Sequence, residues 1–271
     1  IDADILRYQL GAVMSKGGTV TIGGFKCDVP QSRDKVKSIV EETVDSIMEA
    51  TGCRTYRFYL SEGRNFRFAR ATIQPYKGNR KDFVKPHHWR TVGEIVHELY
   101  GAKVCTLFEA DDHLAADQDE DGSTVLASRD KDLRIKSGWH YSWSAGERNP
   151  EKPLYWITPL EGIRWFYTQC LTGDSTDNII GCGERLPTKS NPSKLRRQGV
   201  GAGAAEKLLS TATNEKEMFA TVAFQYQARF GENWKDHFLE NGTLLWMCDE
   251  FTPWEQLEKV HVLFEEFKLE N

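Results

Sequence analysis

Apolar residues recur at helical spacing in three stretches of the chain. Val36, Ile39, Val40, Val44, Ile47 and Met48 form one stripe, with Ser32 as its N-cap and Gly52 as its stop. Val92, Ile95, Val96 and Leu99 form a second between Trp89 and Tyr100, and the residues from Pro159 to Leu171 read as a third. Short apolar runs predict strands at Ile1–Leu6, Arg54–Leu60, Ala102–Phe108 (a buried one) and Thr124–Ser128. Strand, helix and strand in that order call for a right-handed parallel unit. The pattern therefore predicts an α/β fold, with a central, mostly parallel sheet flanked by helices. No internal repeat or low-complexity linker interrupts it.

Composition narrows the class without naming a chemistry. A chain of 271 residues, 39% hydrophobic and 28% charged, is long enough for one large domain or two modest ones of ordinary soluble type. No run approaches the ~18 apolar residues of a membrane span, and no signal-peptide pattern opens the chain. A cytoplasmic protein without a membrane partner is expected. The six cysteines form no Cys-x-x-Cys pair and read as reduced, packed thiols. The chain opens at Ile1 without a methionine, so further N-terminal sequence is expected ahead of it.

A net charge of −5 argues mildly against a nucleic-acid partner, but the charges are segregated. Arg64, Arg67, Arg70, Lys77, Arg80, Lys81, Lys85 and Arg90 face a single acid, Asp82, and are interleaved with Phe66, Phe68, Tyr76, Phe83 and Trp89. Bases among aromatics suit phosphates and stacked nucleobases, although a basic run is more often a solvated face. Lys189, Lys194, Arg196 and Arg197 form a second basic group in a loop-like stretch.

The acids also gather, and they do so at the ends of the predicted strands. Glu109, Asp111 and Asp112 stand between the Ala102–Phe108 run and a helix whose first turn reads as His113–Ala116. A helix N-cap explains one carboxylate there, and metal ligation explains all three. Asp2 and Asp4 end the stump of the first strand, Asp130 and Asp132 follow Thr124–Ser128, and Asp174 and Asp177 follow the third helix. Parallel strands end side by side, so these acids can converge on one pocket. Oxygen-only donors suit Mg²⁺ or Mn²⁺, and two such ions about 4 Å apart serve in-line attack on a phosphodiester.

Two further motifs mislead. Asp117–Gly122 opens like a calcium-binding loop, but its twelfth position is Ser128 where a bidentate glutamate is needed, so it reads as a surface turn. Gly199-Val200-Gly201-Ala202-Gly203-Ala204 fits a dinucleotide fingerprint, but Lys194–Gln198 ahead of it is not a hydrophobic strand. What remains is a glycine turn entering a helix over Ala204–Leu209, whose backbone amides suit a phosphate.

Five segments in order then resemble the flap endonuclease and 5′→3′ exonuclease superfamily, and most of all its short bacteriophage members. They are Ile1–Asp4, Tyr76–Arg80, Glu109–Asp112, Ser128–Asp132 and Gly173–Gly181, with Gly199–Leu209 similar to the family's helix–turn–helix around a K⁺ ion. The likeness spans about the first 210 residues. It implies a nuclease domain over 1–172, with a short helical arch near 76–90, and a mainly helical DNA-binding part over 173–271. It also implies roles. Asp2, Glu109, Asp111 and Asp130 would hold a first metal, Asp132, Asp174 and Asp177 a second, and Asp112 would support them. Lys77 and Arg80 would stabilise charge on the scissile phosphate. Apart from the resemblance, the basic groups offer Arg67, Lys81, Arg196 and Arg197 as DNA contacts, with a solvated surface loop as the alternative for the last two, and the glycine turn offers Gly199, Gly201 and Gly203.

Two departures stand out. Phe58-Tyr59-Leu60-Ser61-Glu62 lacks the aspartate the family places after its second strand, leaving Glu62 as a substitute, and residues 182–198 form an insertion. The function implied is removal of nucleotides from 5′ ends or flaps of duplex DNA in replication, with RNA strands open as further substrates. The protein would act as a monomer, in host cytoplasm if phage-encoded. The competing readings are a structural DNA-binding protein that has lost its chemistry, and a calcium sensor already weakened at Ser128.

Overall fold

The computed structural model describes residues 1–193 and 195–270, which pack as two units. One holds residues 1–63, 83–133 and 138–156; the other holds 64–82, 134–137 and the chain from 157 onward. In chain order the elements are α1 (Ala3–Gly11), β1 (Met14–Ile22), β2 (Phe25–Pro30), α2 (Arg33–Thr51), β3 (Tyr59–Ser61), α3 (Arg67–Arg70), α4 (Trp89–Tyr100), β4 (Lys103–Cys105), α5 (Ala110–Ala116), β5 (Val125–Ala127), β6 (Gly138–Ser142), β7 (Lys152–Ile157), α6 (Pro159–Thr172), β8 (Gly183–Pro187), β9 (Leu195–Gly199), α7 (Ala202–Leu209), α8 (Glu215–Phe230), α9 (Trp234–Leu245) and α10 (Glu258–Glu270).

In the first unit β3 pairs with β4 in parallel, and β5 pairs with β6 in parallel, with β7 on the far side of β6. The first two residues lie between these sheets. Asp2 bridges Tyr59 in parallel, and its N–H donates to the Ala127 carbonyl at 3.0 Å. The strand expected over Ile1–Leu6 stops there, because Asp2 Oδ1 accepts the Ile5 N–H at 3.1 Å and so caps α1. The helices α1, α2 and α4 bury Leu6, Leu10, Val36, Val40, Val44, Ile47, Val92, Ile95 and Val96 in one core with Phe58 and Leu60. Ser32 caps α2 and left-handed Gly52 ends it, as the spacing predicts.

The strands are shorter than their apolar runs. Of Arg54–Leu60 only the end is strand, and β4 leaves Val104 46% exposed, with Leu107 beyond its end 63% exposed, so it is not the buried strand expected over Ala102–Phe108. Between Tyr76 and Arg90 the structure has a single 3₁₀ turn, Gly78–Arg80, before α4, and no helical arch. Pro86 disfavours helix in the residue before it, and Pro75 and Gly78 break the rest. Residues 14–30, for which the apolar pattern predicts no element, form the antiparallel β1–β2 hairpin turning at Gly23-Gly24.

The second unit is mainly helical. It begins earlier in the chain than the 173–271 part expected, because α6 packs on α8 and α9. Phe166, Phe219, Phe238, Phe264 and Trp254 form its buried aromatic centre, with Phe219 and Phe264 edge to face at 4.8 Å. Trp246 is buried and Trp234 half-buried against Phe264. The 182–198 insertion, whose basic group reads as loop-like, carries the antiparallel pair β8–β9, with Arg185 opposite Arg197. Among the described residues no helix is long and apolar enough to cross a membrane.

Candidate active site

In the first unit the chain end places Asp2 among other acids. Its side chain is 1% exposed, and Oδ2 accepts the Ser128 hydroxyl at 2.6 Å. Burial, with the nearby charges of Asp4 and Asp130, pushes its carboxyl up to about 7. Asp4 is likewise raised, by burial above all and with Glu109 contributing, although its Oδ2 accepts the Ser61 N–H at 3.0 Å. Ser128 organises the next acid too, because its Oγ accepts the Asp130 N–H at 2.9 Å and Asp130 Oδ1 accepts the Asp132 N–H at 2.9 Å. Asp132 also pairs with Lys131 at 2.7 Å.

The acidic junction is built by helix capping to a greater degree than its sequence suggests. Helix α5 starts at Ala110, three residues before the expected turn, with Glu109 as N-cap. Glu109 and Asp112 form a reciprocal capping box, in which Asp112 Oδ2 accepts the Glu109 N–H at 2.9 Å. Two of the three acids thus have a structural task, and Asp111 is half-buried beside them. Glu62, the substitute considered for the missing aspartate, is 51% exposed and pairs with buried Arg7 at 3.2 Å.

In the second unit Asp174 and Asp177 stand on a loop folded back on itself. Asp174 and Ile179 exchange backbone hydrogen bonds at 2.9 and 2.7 Å, and Asp174 Oδ1 accepts the Thr176 N–H at 2.6 Å. Glycine is required where the loop closes. A Cβ on Gly173 would stand 2.3 Å from the Ile179 carbonyl oxygen, and one on Gly181 would stand 2.3 Å from the Gly173 nitrogen. The basic segment docks on this loop. Arg80 Nη2 lies 2.6 Å from Asp177 Oδ1, the Tyr76 hydroxyl donates to Oδ2 at 2.7 Å, and Lys77 Nζ lies 3.7 Å from Oδ2. Lys77 itself is left-handed, with φ of 53°, and its N–H donates to the Asp177 carbonyl at 2.8 Å. A cavity of about 370 Å³ opens beside it, lined among others by Arg64, Phe68, Tyr76, Lys77, Arg80 and Lys81.

The structure thus gives Asp2, Asp4, Glu109 and Asp130 one electrostatic neighbourhood, and joins Asp177 to Lys77 and Arg80. The donor set of Asp2, Asp4, Glu109 and Asp130 is carboxylates only, with Asp2 and Asp4 raised by burial above all and by their acidic neighbours in addition, and it suits a hard divalent cation in its chemistry. Among the described residues no three His, Cys, Asp or Glu side chains stand as a ready ligand set. Ser128, Ser61 and Tyr76 hydrogen-bond to Asp2, Asp4 and Asp177, a support that the acid pattern alone does not reveal. The signal for Ser128 was its place two residues before Asp130.

Of the expected DNA contacts, two are engaged inside the protein. Arg67 is 1% exposed and donates to the Leu244 and Trp246 carbonyls at 3.1 and 2.6 Å, tying α3 to α9. Arg197 donates to the carbonyls of Leu171, Ile180 and Val200 at 3.0, 2.7 and 3.2 Å, and burial lowers its pKa. Lys81, Lys189 and Arg196 are exposed, and Lys194 lies outside the described residues. Gly199 is needed for the hairpin, since a Cβ there would meet the Cys182 carbonyl oxygen at 2.4 Å. Gly201 caps α7, and around it and Gly203 there is open space.

No protein-family model and no curated protein matches the chain. Two solved structures of bacteriophage T5 proteins do. One is a variant flap endonuclease in a pseudo-enzyme–product complex with DNA and metal ions. It has a TM-score of 0.54 and 15% identity over 80% of this chain and 81% of that one. The other, a T5 protein co-crystallised with metal ions, gives 0.49 and 15% over 88% and 91%. The chain has a mixed α/β fold similar to that of the flap endonuclease.

Proposed function

We propose that this protein is a divalent-metal-dependent nuclease that hydrolyses phosphodiester bonds from the 5′ end or 5′ flap of duplex DNA. The observation that carries this is the group of carboxylates Asp2, Asp4, Glu109 and Asp130, two buried and two half-buried, on a fold similar to that of a flap endonuclease crystallised with DNA and metal ions. Asp2, Glu109, Asp111 and Asp130 would hold the first ion, Asp132, Asp174 and Asp177 the second, and Asp112 would keep Glu109 in place. When bound, the ions supply a nucleophilic water and steady the leaving oxygen.

The protein's own part is to hold and orient the phosphate. Lys77 and Arg80 carry positive charge to the phosphate that gains negative charge in the transition state. Phe68, half-buried and packed edge to face on buried Tyr76, is the ring beside them for a splayed nucleobase. The exposed amides at Gly201 and Gly203, opening α7, are placed for a duplex phosphate, with K⁺ as the bridging ion and α7–α8 as the helix–turn–helix. The reading extends to RNA strands in hybrids, to Mg²⁺ or Mn²⁺ as the ion, and to a monomer acting in phage replication in the host cytoplasm. Digesting 5′-labelled and 3′-labelled duplexes side by side with Mg²⁺ tests it. Release of label as mononucleotides or short flaps from the 5′ end supports the proposal. Absence of turnover with intact DNA binding would leave the non-catalytic reading.

A further inference from the structure

The β8–β9 hairpin has a task that its exposed position does not advertise. Strand alternation puts opposite residues on one face, so the partners Arg185 and Arg197 point the same way, while Arg196 lies on the other face opposite Leu186. On the shared face Arg197 pins the hairpin's root to the carbonyls of Leu171, Ile180 and Val200. Arg185, in the same cross-strand pair, reaches two different segments. Its Nη2 donates to Asn178 Oδ1 at 3.0 Å, and its Nε donates to Gln74 Oε1 at 3.1 Å.

Those two contacts straddle the junction that carries Lys77 and Arg80. Asn178, itself left-handed with φ of 61°, donates its Nδ2 to the Pro75 carbonyl at 2.9 Å. Asn79 Nδ2 donates to the Ser175 carbonyl at 2.7 Å, and Arg80 Nε to the Thr176 carbonyl at 3.1 Å. Segment 74–80 has little regular structure beyond one 3₁₀ turn, so its geometry is set by this seam with residues 175–178. The fork of one guanidinium holds both sides of the seam at once, which a lysine's single ammonium does less well.

We infer that Arg185 is a positioning residue, through which the β8–β9 hairpin holds Lys77 and Arg80 in register with the Asp174–Asn178 loop. This rests on the nuclease reading for its kinetic consequence, but not for its structural one. Loss of the fork lets Lys77 leave Asp177, and misplacing a charge-stabilising group slows chemistry more than it weakens binding.

The test uses the full chain carrying Arg185→Ala, Arg185→Lys and Asn178→Ala. Arg185→Ala is expected to lower the single-turnover rate with saturating enzyme on the order of 10-fold. Duplex affinity in Ca²⁺ and its salt slope should hold, since no phosphate contact is lost. Arg185→Lys should recover part of the rate. Added to the Lys77→Ala, Arg80→Ala double variant, Arg185→Ala should slow the reaction no further. A salt slope smaller by about 0.9 would make Arg185 a DNA contact, and an unchanged rate would leave it without a task; either overturns the inference. Amine labelling of Lys77, read by mass spectrometry without DNA or metal, decides the point if the wild type proves inactive. Labelling should rise in Arg185→Ala and in Asn178→Ala, and an unchanged Lys77 reactivity overturns the inference whatever the protein hydrolyses.

Discussion

The Ser128 hydroxyl donates to Asp2 Oδ2 at 2.6 Å, joining residues 126 apart in sequence. It holds in place a carboxylate that burial and its acidic neighbours push up to about 7. A folded-state pKa above the ordinary carboxylate value favours the protonated form in the native state. The associated stability is therefore complete below about pH 4 and is lost as pH rises toward 7. Asp2→Asn keeps an oxygen for the Ile5 N–H and removes the charge. In EDTA it should raise Tm at pH 7.5, with the difference from wild type closing toward pH 4. Thermal unfolding across that range checks this, and an Asn variant that melts lower at pH 7.5 would contradict it.

Divalent ions should reverse that sign. Asp130→Asn and Asp174→Asn each remove a carboxylate from the proposed ligand set without removing a packing group. Both should abolish hydrolysis in saturating Mg²⁺ while leaving the circular dichroism spectrum and duplex binding close to wild type. The rise in Tm on adding Mn²⁺ should shrink in both, because an ion that binds the folded state stabilises it in proportion to its affinity. Near-native turnover in either variant removes that residue from the metal assignment.

Lys77→Ala separates a transition-state contact from an anchor. Interactions made only in the transition state show in kcat, whereas uniform binding shows in KM. The single-turnover rate at saturation should fall on the order of 10²-fold, as when one oxyanion donor is lost. Affinity for duplex in Ca²⁺ should change much less. A loss of affinity with an unchanged saturated rate would make Lys77 a phosphate anchor only.

How much of this was legible depended on whether local signals agreed with tertiary ones. α2 and α4 match their predicted stripes because caps, periodicity and burial coincide, with Ser32 and Gly52 bounding one and Gly101 ending the other. The three-residue strands β3 and β4 do not match, since the apolar runs at Arg54–Leu60 and Ala102–Phe108 extend into segments whose side chains stay exposed. Gly23-Gly24 between Thr19–Ile22 and Phe25–Val29 is a hairpin signal carried by the sequence itself. The acids were legible as a group. The division of labour at Glu109 and Asp112 was not, because a capping box and a metal ligand use the same residue types at the same spacing. Nor does a basic run say where each guanidinium ends, and Arg67 in the protein interior is the clearest case.

Arg196 and Arg197 put that last point to measurement. They are adjacent in β9 and alike in charge, but opposite in direction: Arg196 is exposed, and Arg197 is bonded to three backbone carbonyls. Arg197→Ala leaves those carbonyls short of a charged donor and should destabilise the protein by roughly 2 kcal/mol, seen as a lower urea midpoint. Its salt slope for duplex binding should match wild type at temperatures where it is folded. Arg196→Ala should leave the urea midpoint within roughly 0.5 kcal/mol of wild type. If β9 tracks the duplex, it should also reduce the slope of log K against log salt by about 0.9, equally for all sequences, because a phosphate contact carries no base information. Binding measured in Ca²⁺ between low and moderate salt, on two unrelated duplexes, gives both slopes. Equal salt slopes for Arg196→Ala and wild type would remove this hairpin face from the DNA path. A changed slope for Arg197→Ala at full folding would mean that its guanidinium leaves the carbonyls of Leu171 and Ile180 when DNA binds.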